Sequence, residues 1–252
     1  MRVATFNILH GRSPADDRVD VERFAAAVKS LDTDVLALQE VDRNQPRSAN
    51  ADLTAVAAEA MGADEHRFVA ALSGSPGATW MAATGEEQPD SAAYGIALLS
   101  RYPVLSWEVV RLASTPTRVP MWFDGSRKPT LVRDEPRVAV AARVAAPHRE
   151  LTVVNTHLSF VGWWGRHQLR TVVRSLSGLD PVVLMGDLNM GLSRARAITG
   201  MLPLVDRPTF PAHEPREQLD HMLARGDVGR VGDVGVHELP LSDHRALSVD
   251  LR

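Results

Sequence analysis

The most constraining feature of this sequence is an apolar run that ends in two polar residues separated by one apolar residue. Residues 182–185 read Val-Val-Leu-Met, which predicts a buried strand, and Gly186, Asp187, Leu188 and Asn189 follow at once. In an extended chain, residues two apart project to the same side, so Asp187 and Asn189 are expected to face one space. Gly186 lets the backbone pass close to a neighbour or a ligand. A carboxylate beside an amide suits a water molecule or a phosphate oxygen.

Five further strand-like segments end in polar side chains of the same kinds. These are Asn7, Glu40, His157, the pair Asp220 and His221, and the pair Asp243 and His244. Because ligands of open α/β structures bind where strand ends meet, these residues are predicted to share one site. Each has an ordinary structural explanation when taken alone. Taken together they fit such explanations poorly, since buried charges are costly without partners or a metal.

Composition narrows the classes of protein that fit. The 252 residues, 44% hydrophobic and 23% charged, predict a single globular domain over residues 1–252. A net charge of −3 disfavours a global attraction to nucleic acid or to anionic membranes. The absence of cysteine excludes disulfides, thiolate zinc sites and a cysteine nucleophile. The sequence shows no signal-peptide pattern and no apolar stretch near the roughly 20 residues of a membrane span, so a soluble cytoplasmic protein is expected.

The pattern along the chain predicts many strands and few helices. Helical spacing covers residues 19–31, 53–61 and 168–176, and several predicted strands follow one another with no helix between them. The strands are predicted at residues 3–8, 35–38, 96–99, 104–112, 138–144, 151–156, 182–185, 219–223, 228–236 and 246–251. This arrangement favours a mixed α/β sheet system over a purely parallel sheet. Two long segments, 73–93 and 114–136, are predicted to be functional loops.

The chemistry of the donor set indicates a reaction class. Carboxylate and amide oxygens without sulfur suit Mg²⁺ or Mn²⁺ better than a structural zinc ion. Histidines among them suit phosphate stabilisation and proton transfer near neutral pH. A metal at Glu40, a water near Asp187 and a His–Asp pair would together be suited to phosphoester hydrolysis.

With these residues the chain resembles the endonuclease/exonuclease/phosphatase superfamily, which has the DNase I-like fold. The resemblance covers nearly the whole chain and depends on the chain order of its motifs, which are Phe6-Asn7, Leu38-Gln39-Glu40-Val41, the block over residues 95–101, Asn155-Thr156-His157-Leu158, Gly186-Asp187-Leu188-Asn189, Leu219-Asp220-His221 and Ser242-Asp243-His244. It implies a four-layer α-β-β-α sandwich of two mixed, mostly antiparallel sheets flanked by helices. The site is then expected at one end of the two packed sheets.

The resemblance also implies a metal site. Glu40 would be the main Mg²⁺ ligand, helped by Asn7 and Asp243, and Mn²⁺ could substitute. Some abasic-site nucleases of the superfamily carry an acid two residues after the first Asn, where this chain has Leu9. That difference favours a single metal ion.

Catalytic roles are implied for five residues. Asp187 would orient or deprotonate the attacking water, and Asn189 would hold phosphate or water. His244, oriented by Asp220, would stabilise the phosphate or transfer a proton. His157 stands where family members use a histidine or tyrosine to contact the developing phosphorane.

Residues that could select the substrate are less distinctive. Arg43 and Arg47 could reach a second phosphate or be ordinary solvated arginines. Arg137 adjoins the 114–136 loop, where basic residues alternate with aromatic ones and suit nucleic acid or a phosphorylated headgroup. That loop carries Arg118, Trp122, Phe123, Arg127, Lys128 and Arg133. Trp163 and Trp164, in a predicted turn before Arg166, suit a substrate platform, a membrane-contacting wedge or a packed anchor.

Three functions remain open at the level of sequence. The preferred one is a Mg²⁺-dependent phosphodiesterase or phosphatase acting on a small or lipid-derived phosphoester. A DNA or RNA nuclease is the alternative, which the acidic balance disfavours because phosphate neutralisation dominates nucleic-acid affinity. An inactive binding protein on the same fold is the remote alternative. Such a protein is expected to lose catalytic residues, and this chain keeps them.

Overall fold

The computed structural model describes residues 1–122, 128–147 and 149–252. Phe123 and Arg127 of the predicted binding loop therefore lie outside the described residues. The strands are β1 Arg2–Asn7, β2 Arg12–Ser13, β3 Arg18–Val19, β4 Val35–Arg43, β5 Glu65–Gly74, β6 Trp80–Ala82, β7 Ala93–Ser100, β8 Val104–Leu112, β9 Val119–Met121, β10 Thr130–Val132, β11 Arg137–Ala146, β12 Arg149–His157, β13 Val182–Asp187, β14 Leu202–Pro203, β15 Asp220–Arg225, β16 Val231–His237 and β17 Ala246–Leu251. The α-helices are α1 Val21–Leu31, α2 Leu53–Met61, α3 Gly162–Ser175 and α4 Leu192–Thr199.

Two large sheets form the centre of the fold. Their strand orders are β16-β17-β1-β4-β7-β5-β6 and β14-β15-β13-β12-β11-β8. Neighbouring strands are antiparallel except for one parallel pair in each sheet, β1 with β4 and β12 with β13. The prediction of two mixed, mostly antiparallel sheets is therefore confirmed.

Three apolar clusters define the layers. The first lies between the sheets and joins residues such as Val3 and Ile96 to Val153 and Met185. A second packs α1 and α2 on the outer face of the first sheet, and a third packs α3 and α4 on the outer face of the second. Each sheet is therefore covered on both faces. Because alternate residues of a strand face opposite sides, most strands of such sheets are apolar throughout. The order helix, sheet, sheet, helix is the predicted four-layer sandwich.

The first two helices begin and end as the sequence indicates. Asp20 caps α1 by accepting from the Arg23 backbone N–H, and Asp52 caps α2 by accepting from two backbone N–H groups. Gly62 ends α2 in the left-handed conformation. No helix in the described part of the chain is both long and apolar enough to cross a bilayer.

Other boundaries differ from the predictions. α3 begins at Gly162, six residues before the predicted start at residue 168, so Trp163 and Trp164 lie in the first turn of a helix and not in a turn before it. The helix α4 was not predicted. The two long segments also contain strands, because β5 extends to Gly74 and pairs with β6, and β9 pairs with β10.

Candidate active site

The polar residues that were predicted at strand ends meet at one end of the sandwich, and the sheet register brings them together. Within the second sheet, His157 pairs with Asp187 and Asp187 pairs with Asp220. Within the first sheet, Asn7 pairs with Gln39, which precedes Glu40. Adjacent strands are about 4.8 Å apart, so these side chains are close neighbours.

The Asn7 amide joins the two sheets at this edge. Its Nδ2 group donates to Glu40 Oε1 at 3.1 Å and to Asp187 Oδ2 at 3.0 Å. Its Oδ1 atom accepts from the Leu9 backbone N–H at 3.1 Å, which fixes the orientation of the amide. Asn7 thus presents an N–H donor, not an oxygen, to the space between the two carboxylates.

A β-bulge positions Glu40. Leu38 pairs with Ala97 and Val41 pairs with Gly95, so Gln39 and Glu40 both stand opposite the single residue between those partners. Glu40 has a φ of 57°, a left-handed conformation that few non-glycine residues adopt. Burial raises the pKa of Glu40, while the hydrogen bond from Asn7 and the charge of Arg137 oppose that rise.

The Asp187 carboxylate is the most connected group of the site. Its Oδ1 accepts from the Asn189 backbone N–H at 2.9 Å, and its Oδ2 accepts from Asn7. The same Oδ2 lies 3.6 Å from His157 Nε2 and 3.9 Å from His244 Nε2, too far for direct hydrogen bonds. Burial, reinforced by the charge of Asp220, raises the pKa of Asp187 to about 7.

His157 is held as a neutral ring. Its Nδ1 lies 3.2 Å from Arg137 Nη1, and because a guanidinium only donates, Nδ1 must accept. The remaining proton is then on Nε2, which lies 3.6 Å from Asp187 Oδ2. Asn189 Nδ2, 3.3 Å from Nε2, is itself a donor and donates to the Leu158 carbonyl at 2.9 Å. Burial, and then the charge of Arg137, hold the pKa of His157 well below its usual range.

His244 has the opposite electrostatic environment. Its Nδ1 donates to Asp220 Oδ2 at 2.8 Å, and Thr209 Oγ1 donates to the same oxygen at 2.6 Å. Burial alone would lower the pKa of His244, but the Asp220 charge and hydrogen bond outweigh burial and raise that pKa to about 10. His244 is therefore an imidazolium at neutral pH, and its Nε2–H points toward Asp187.

Two features of the site suit a cation. Asp243 Oδ1 is buried without a hydrogen-bond partner among the described residues, and so is Asp220 Oδ1. Asp187, Asp220 and His244 each offer a ligand atom within 4.8 Å of the others, a cluster that could hold a metal. The donors are oxygens and imidazole nitrogens, which suits a divalent ion.

The arginines predicted to contact substrate fall into two groups. Arg137 is buried beside His157, and its nearest carboxylate is Glu135 at 3.6 Å. Arg47 forms a two-pronged ion pair with the buried Asp42 at 2.7 and 2.8 Å, and Arg43 stacks on Phe68. Arg137 thus adds positive charge to the site, whereas Arg47 is already paired.

The predicted aromatic platform lies at the start of α3. Trp163 is half exposed, and Trp164 donates to the Ala113 carbonyl at 2.7 Å and stacks on His167. Arg166 offers its carbonyl to Arg170 one turn later. Among the described residues, no hydrogen bond or ion pair joins Trp163, Trp164 or Arg166 to the Asp187 cluster.

Two residues of the site were not predicted from the sequence. Tyr94 is buried, and burial followed by the charge of Glu40 raises the pKa of its phenol well above the usual range. Thr209 holds Asp220 from a loop without any recognisable motif. Tyr94 directly precedes the 95–101 block of the resemblance, which was the one available indication.

Comparison with known proteins identifies the class. The profile of the Endonuclease/Exonuclease/phosphatase family matches residues 4–244. The chain belongs to this family and is a phosphoester-hydrolysing enzyme. A search of curated protein sequences finds no significant match.

Solved structures share the fold at low identity. An endonuclease/exonuclease/phosphatase of Beutenbergia cavernae is 23% identical with a TM-score of 0.69, over 100% of this chain and 71% of that one. The mannosyl-6-phosphatase of Bacteroides thetaiotaomicron is 15% identical with a TM-score of 0.69, over 100% and 99% of the two chains. Sphingomyelinase C of Streptomyces griseocarneus is 17% identical with a TM-score of 0.64, again over 100% and 99%.

Proposed function

We propose that this enzyme is a Mg²⁺-dependent hydrolase of small or lipid-derived phosphoesters, in which Asp187 activates the attacking water. The observation that carries the proposal is the Asn7 bridge, which holds Glu40 and Asp187 at 3.1 and 3.0 Å from one amide nitrogen. Two carboxylates held together in a buried site are costly unless a cation or a proton compensates their charge. A metal ion at Glu40 would compensate one of the two charges, and the other carboxylate, Asp187, would compensate its own charge when it accepts a proton.

We assign the metal to Glu40 and Asp243, with Asn7 orienting Glu40 through its amide. The raised pKa of Glu40 and the unpaired Oδ1 of Asp243 are the features that a cation would relieve. The Asp187, Asp220 and His244 cluster is the weaker candidate, because a ligating histidine must be neutral and the Asp220 hydrogen bond favours imidazolium. When bound, Mg²⁺ or Mn²⁺ would supply positive charge that polarises the phosphate oxygens.

Asp187 is the group best placed to accept the proton of water. Its Oδ2 faces both imidazole rings at distances that leave room for a further hydrogen-bond partner. A pKa near 7 suits a general base at neutral pH, because the group is partly ionised and still basic. Asn189 donates its backbone N–H to Asp187 Oδ1, and its side-chain amide is held beside His157 by a hydrogen bond to the Leu158 carbonyl.

The two histidines would act as donors to the phosphate. His244 carries a full positive charge that Asp220 stabilises, so its Nε2–H can donate to an oxygen whose negative charge grows during attack. His157, neutral and with its proton on Nε2, can donate from the opposite side of Asp187. Arg137 lies behind His157 and adds charge stabilisation.

A panel of substrates tests the proposal. It comprises p-nitrophenyl phosphate, bis-p-nitrophenyl phosphate, sphingomyelin, sugar and inositol phosphates, plasmid DNA and single-stranded RNA, each with Mg²⁺ and with EDTA. We expect Mg²⁺-dependent hydrolysis of a small or lipid-derived ester, and loss of about 10²–10⁴ in rate in His244→Ala. Activity unaffected by EDTA would remove the metal from the account. Faster cleavage of DNA or RNA than of every small ester would replace the proposed substrate class with nucleic acid.

A further inference from the structure

A large cavity adjoins the catalytic residues on the side of Asp243. Its volume is about 760 Å³, within the range of about 300–1,000 Å³ typical of small-molecule sites. It is lined by Arg23 and by three segments, 13–16, 210–213 and 238–243. Asp243 lines the cavity directly, and the Phe210 ring, which also lines it, lies 5.0 Å from the His244 ring. The cavity therefore lies against Asp243 and next to His244, two residues of the proposed site.

Hydrogen bonds between the three segments hold the walls of the cavity in place. The Ala212 N–H donates to the Asp243 carbonyl at 2.7 Å, and Arg245 Nε donates to the Ala212 carbonyl at 2.6 Å. The Ser242 N–H donates to the Arg12 carbonyl at 2.8 Å, which attaches the first segment to the third. Backbone bonds of this kind indicate a preformed pocket and not a gap between independent loops.

The chemistry of the walls selects against a second anion. Apolar surface comes from Phe210, Leu239 and three prolines. Arg23 is the single arginine or lysine among the residues that line the cavity, and it is paired with Asp16 at 2.6 Å. Glu238 at the rim is paired with Arg245 at 2.7 Å. Among the residues that line the cavity, a phosphate or carboxylate entering here would find no unpaired arginine or lysine.

We propose that this cavity binds the organic group esterified to the phosphate, and that this group is apolar and carries no anionic charge, such as an alkyl chain or a ring. The inference rests on the proposed function for the position of the phosphate. It makes the preferred substrate an ester of an apolar alcohol, and it disfavours polynucleotides, whose neighbouring phosphates would need cations at this position.

Binding of alkylphosphonates tests the cavity without requiring turnover. Methyl-, butyl- and octylphosphonate are titrated calorimetrically into the full-length protein in MgCl₂. Each buried methylene contributes about 0.8 kcal/mol, or about fourfold in affinity, so octylphosphonate should bind at least about tenfold more tightly than methylphosphonate. Ala15→Trp and His213→Trp place a bulky ring at two exposed positions that line the cavity and should abolish this gain. Ala55→Trp, at an exposed position of α2 outside the cavity, should preserve it.

The outcomes separate this proposal from the proposed function. Equal affinity for the three phosphonates, no binding by any of them, or a chain-length gain that survives in both cavity variants would overturn the assignment of the cavity. Hydrolysis that EDTA does not inhibit would instead overturn the metal mechanism. The dependence of phosphonate binding on chain length would then stand as a separate result.

Discussion

Asn155 connects the two sheets directly behind Glu40, and its removal should be unusually costly. Asn155 lies on β12 of the second sheet, and its Nδ2 donates to the carbonyls of Leu38 and Ala97 in the first sheet, both at 2.8 Å. Its Oδ1 accepts from Gln39 Nε2 at 2.7 Å. Leu38 and Gln39 belong to the bulge that positions Glu40, so this amide supports the irregular backbone of the proposed metal site.

The expected cost of Asn155→Ala follows from these contacts. Three hydrogen bonds are lost, and each buried group left without its partner costs about 1–3 kcal/mol. Gln39 Nε2 retains Thr5 Oγ1 at 3.0 Å, so the two carbonyls account for most of the unpaired groups. We expect the free energy of unfolding to fall by roughly 3–5 kcal/mol and the melting temperature by about 10 °C.

Guanidinium unfolding at pH 7 measures this change, with Thr156→Val as the matched control. Thr156 is the next residue on β12, equally buried, and its side chain makes one hydrogen bond, to the Val138 carbonyl of the same sheet at 3.0 Å. The control should lose about 1 kcal/mol. Mg²⁺ should also raise the melting temperature less in Asn155→Ala than in Thr156→Val, because Glu40 is no longer held in place. A loss below about 1 kcal/mol, or equal losses in both variants, would refute the reasoning.

Two further predictions concern single positions. Gly186 has a φ of 134°, and a Cβ there would lie 1.9 Å from the Thr156 carbonyl oxygen, so Gly186→Ala should lower the unfolding free energy by at least about 3 kcal/mol. The control Gly178→Ala, at a φ of 82° with open space around the added methyl group, should lower it by about 1 kcal/mol. Equal losses in denaturant unfolding would show that backbone strain alone matters. Burial, followed by the charge of Arg47, lowers the pKa of His10 to about 4. Between pH 6.5 and 4 the histidine is therefore protonated in the unfolded chain and still neutral in the folded one. The free energy of unfolding should fall as the pH is lowered through that window. His10→Asn, which tolerates the left-handed backbone at φ 47°, should lose less stability between pH 6.5 and 4 in parallel melts, and identical pH slopes would contradict the assignment.

The convergence of polar residues could be predicted because it depends on local pattern. Apolar runs that end in Asn7 and Asp187 place those side chains at strand ends. Glu40 was also predicted to follow a strand, but β4 continues to Arg43 and Glu40 lies at the bulge inside it. The register then sets Asp187 between His157 and Asp220. Gly186 also has the role expected from the sequence, since the backbone of a neighbouring strand passes against it.

Features that depend on long-range packing could not be predicted. The bulge at Glu40 arises from the register between β4 and β7, which no pattern within residues 35–43 encodes. The start of α3 was predicted wrongly because Gly162 and Gly165 suggest a turn. In the structure Gly165 belongs to the helix, and it passes so close to the Ser159 carbonyl that a Cβ would not fit. The helix α4 has only Ala195 and Thr199 buried, so its sequence carries almost no amphipathic pattern.

The charge states of the two histidines likewise needed the structure. The sequence indicated that an aspartate would orient His244, but the contrast with His157 depends on Arg137, which reaches the His157 ring from 20 residues away. One histidine beside a carboxylate and another beside a guanidinium acquire opposite pKa shifts from the same degree of burial.

The rate of bis-p-nitrophenyl phosphate hydrolysis by Asp187→Asn in saturating Mg²⁺ tests the central claim most directly. We expect kcat to fall by about 10²–10⁴ relative to the wild type, because the amide cannot accept a proton from water. The variant should still unfold cooperatively, since it removes a buried carboxylate whose pKa is raised to about 7 at the cost of one of the two hydrogen bonds that this carboxylate accepts. A variant that folds normally and keeps kcat within about tenfold of the wild type would contradict the assignment of Asp187 as the general base.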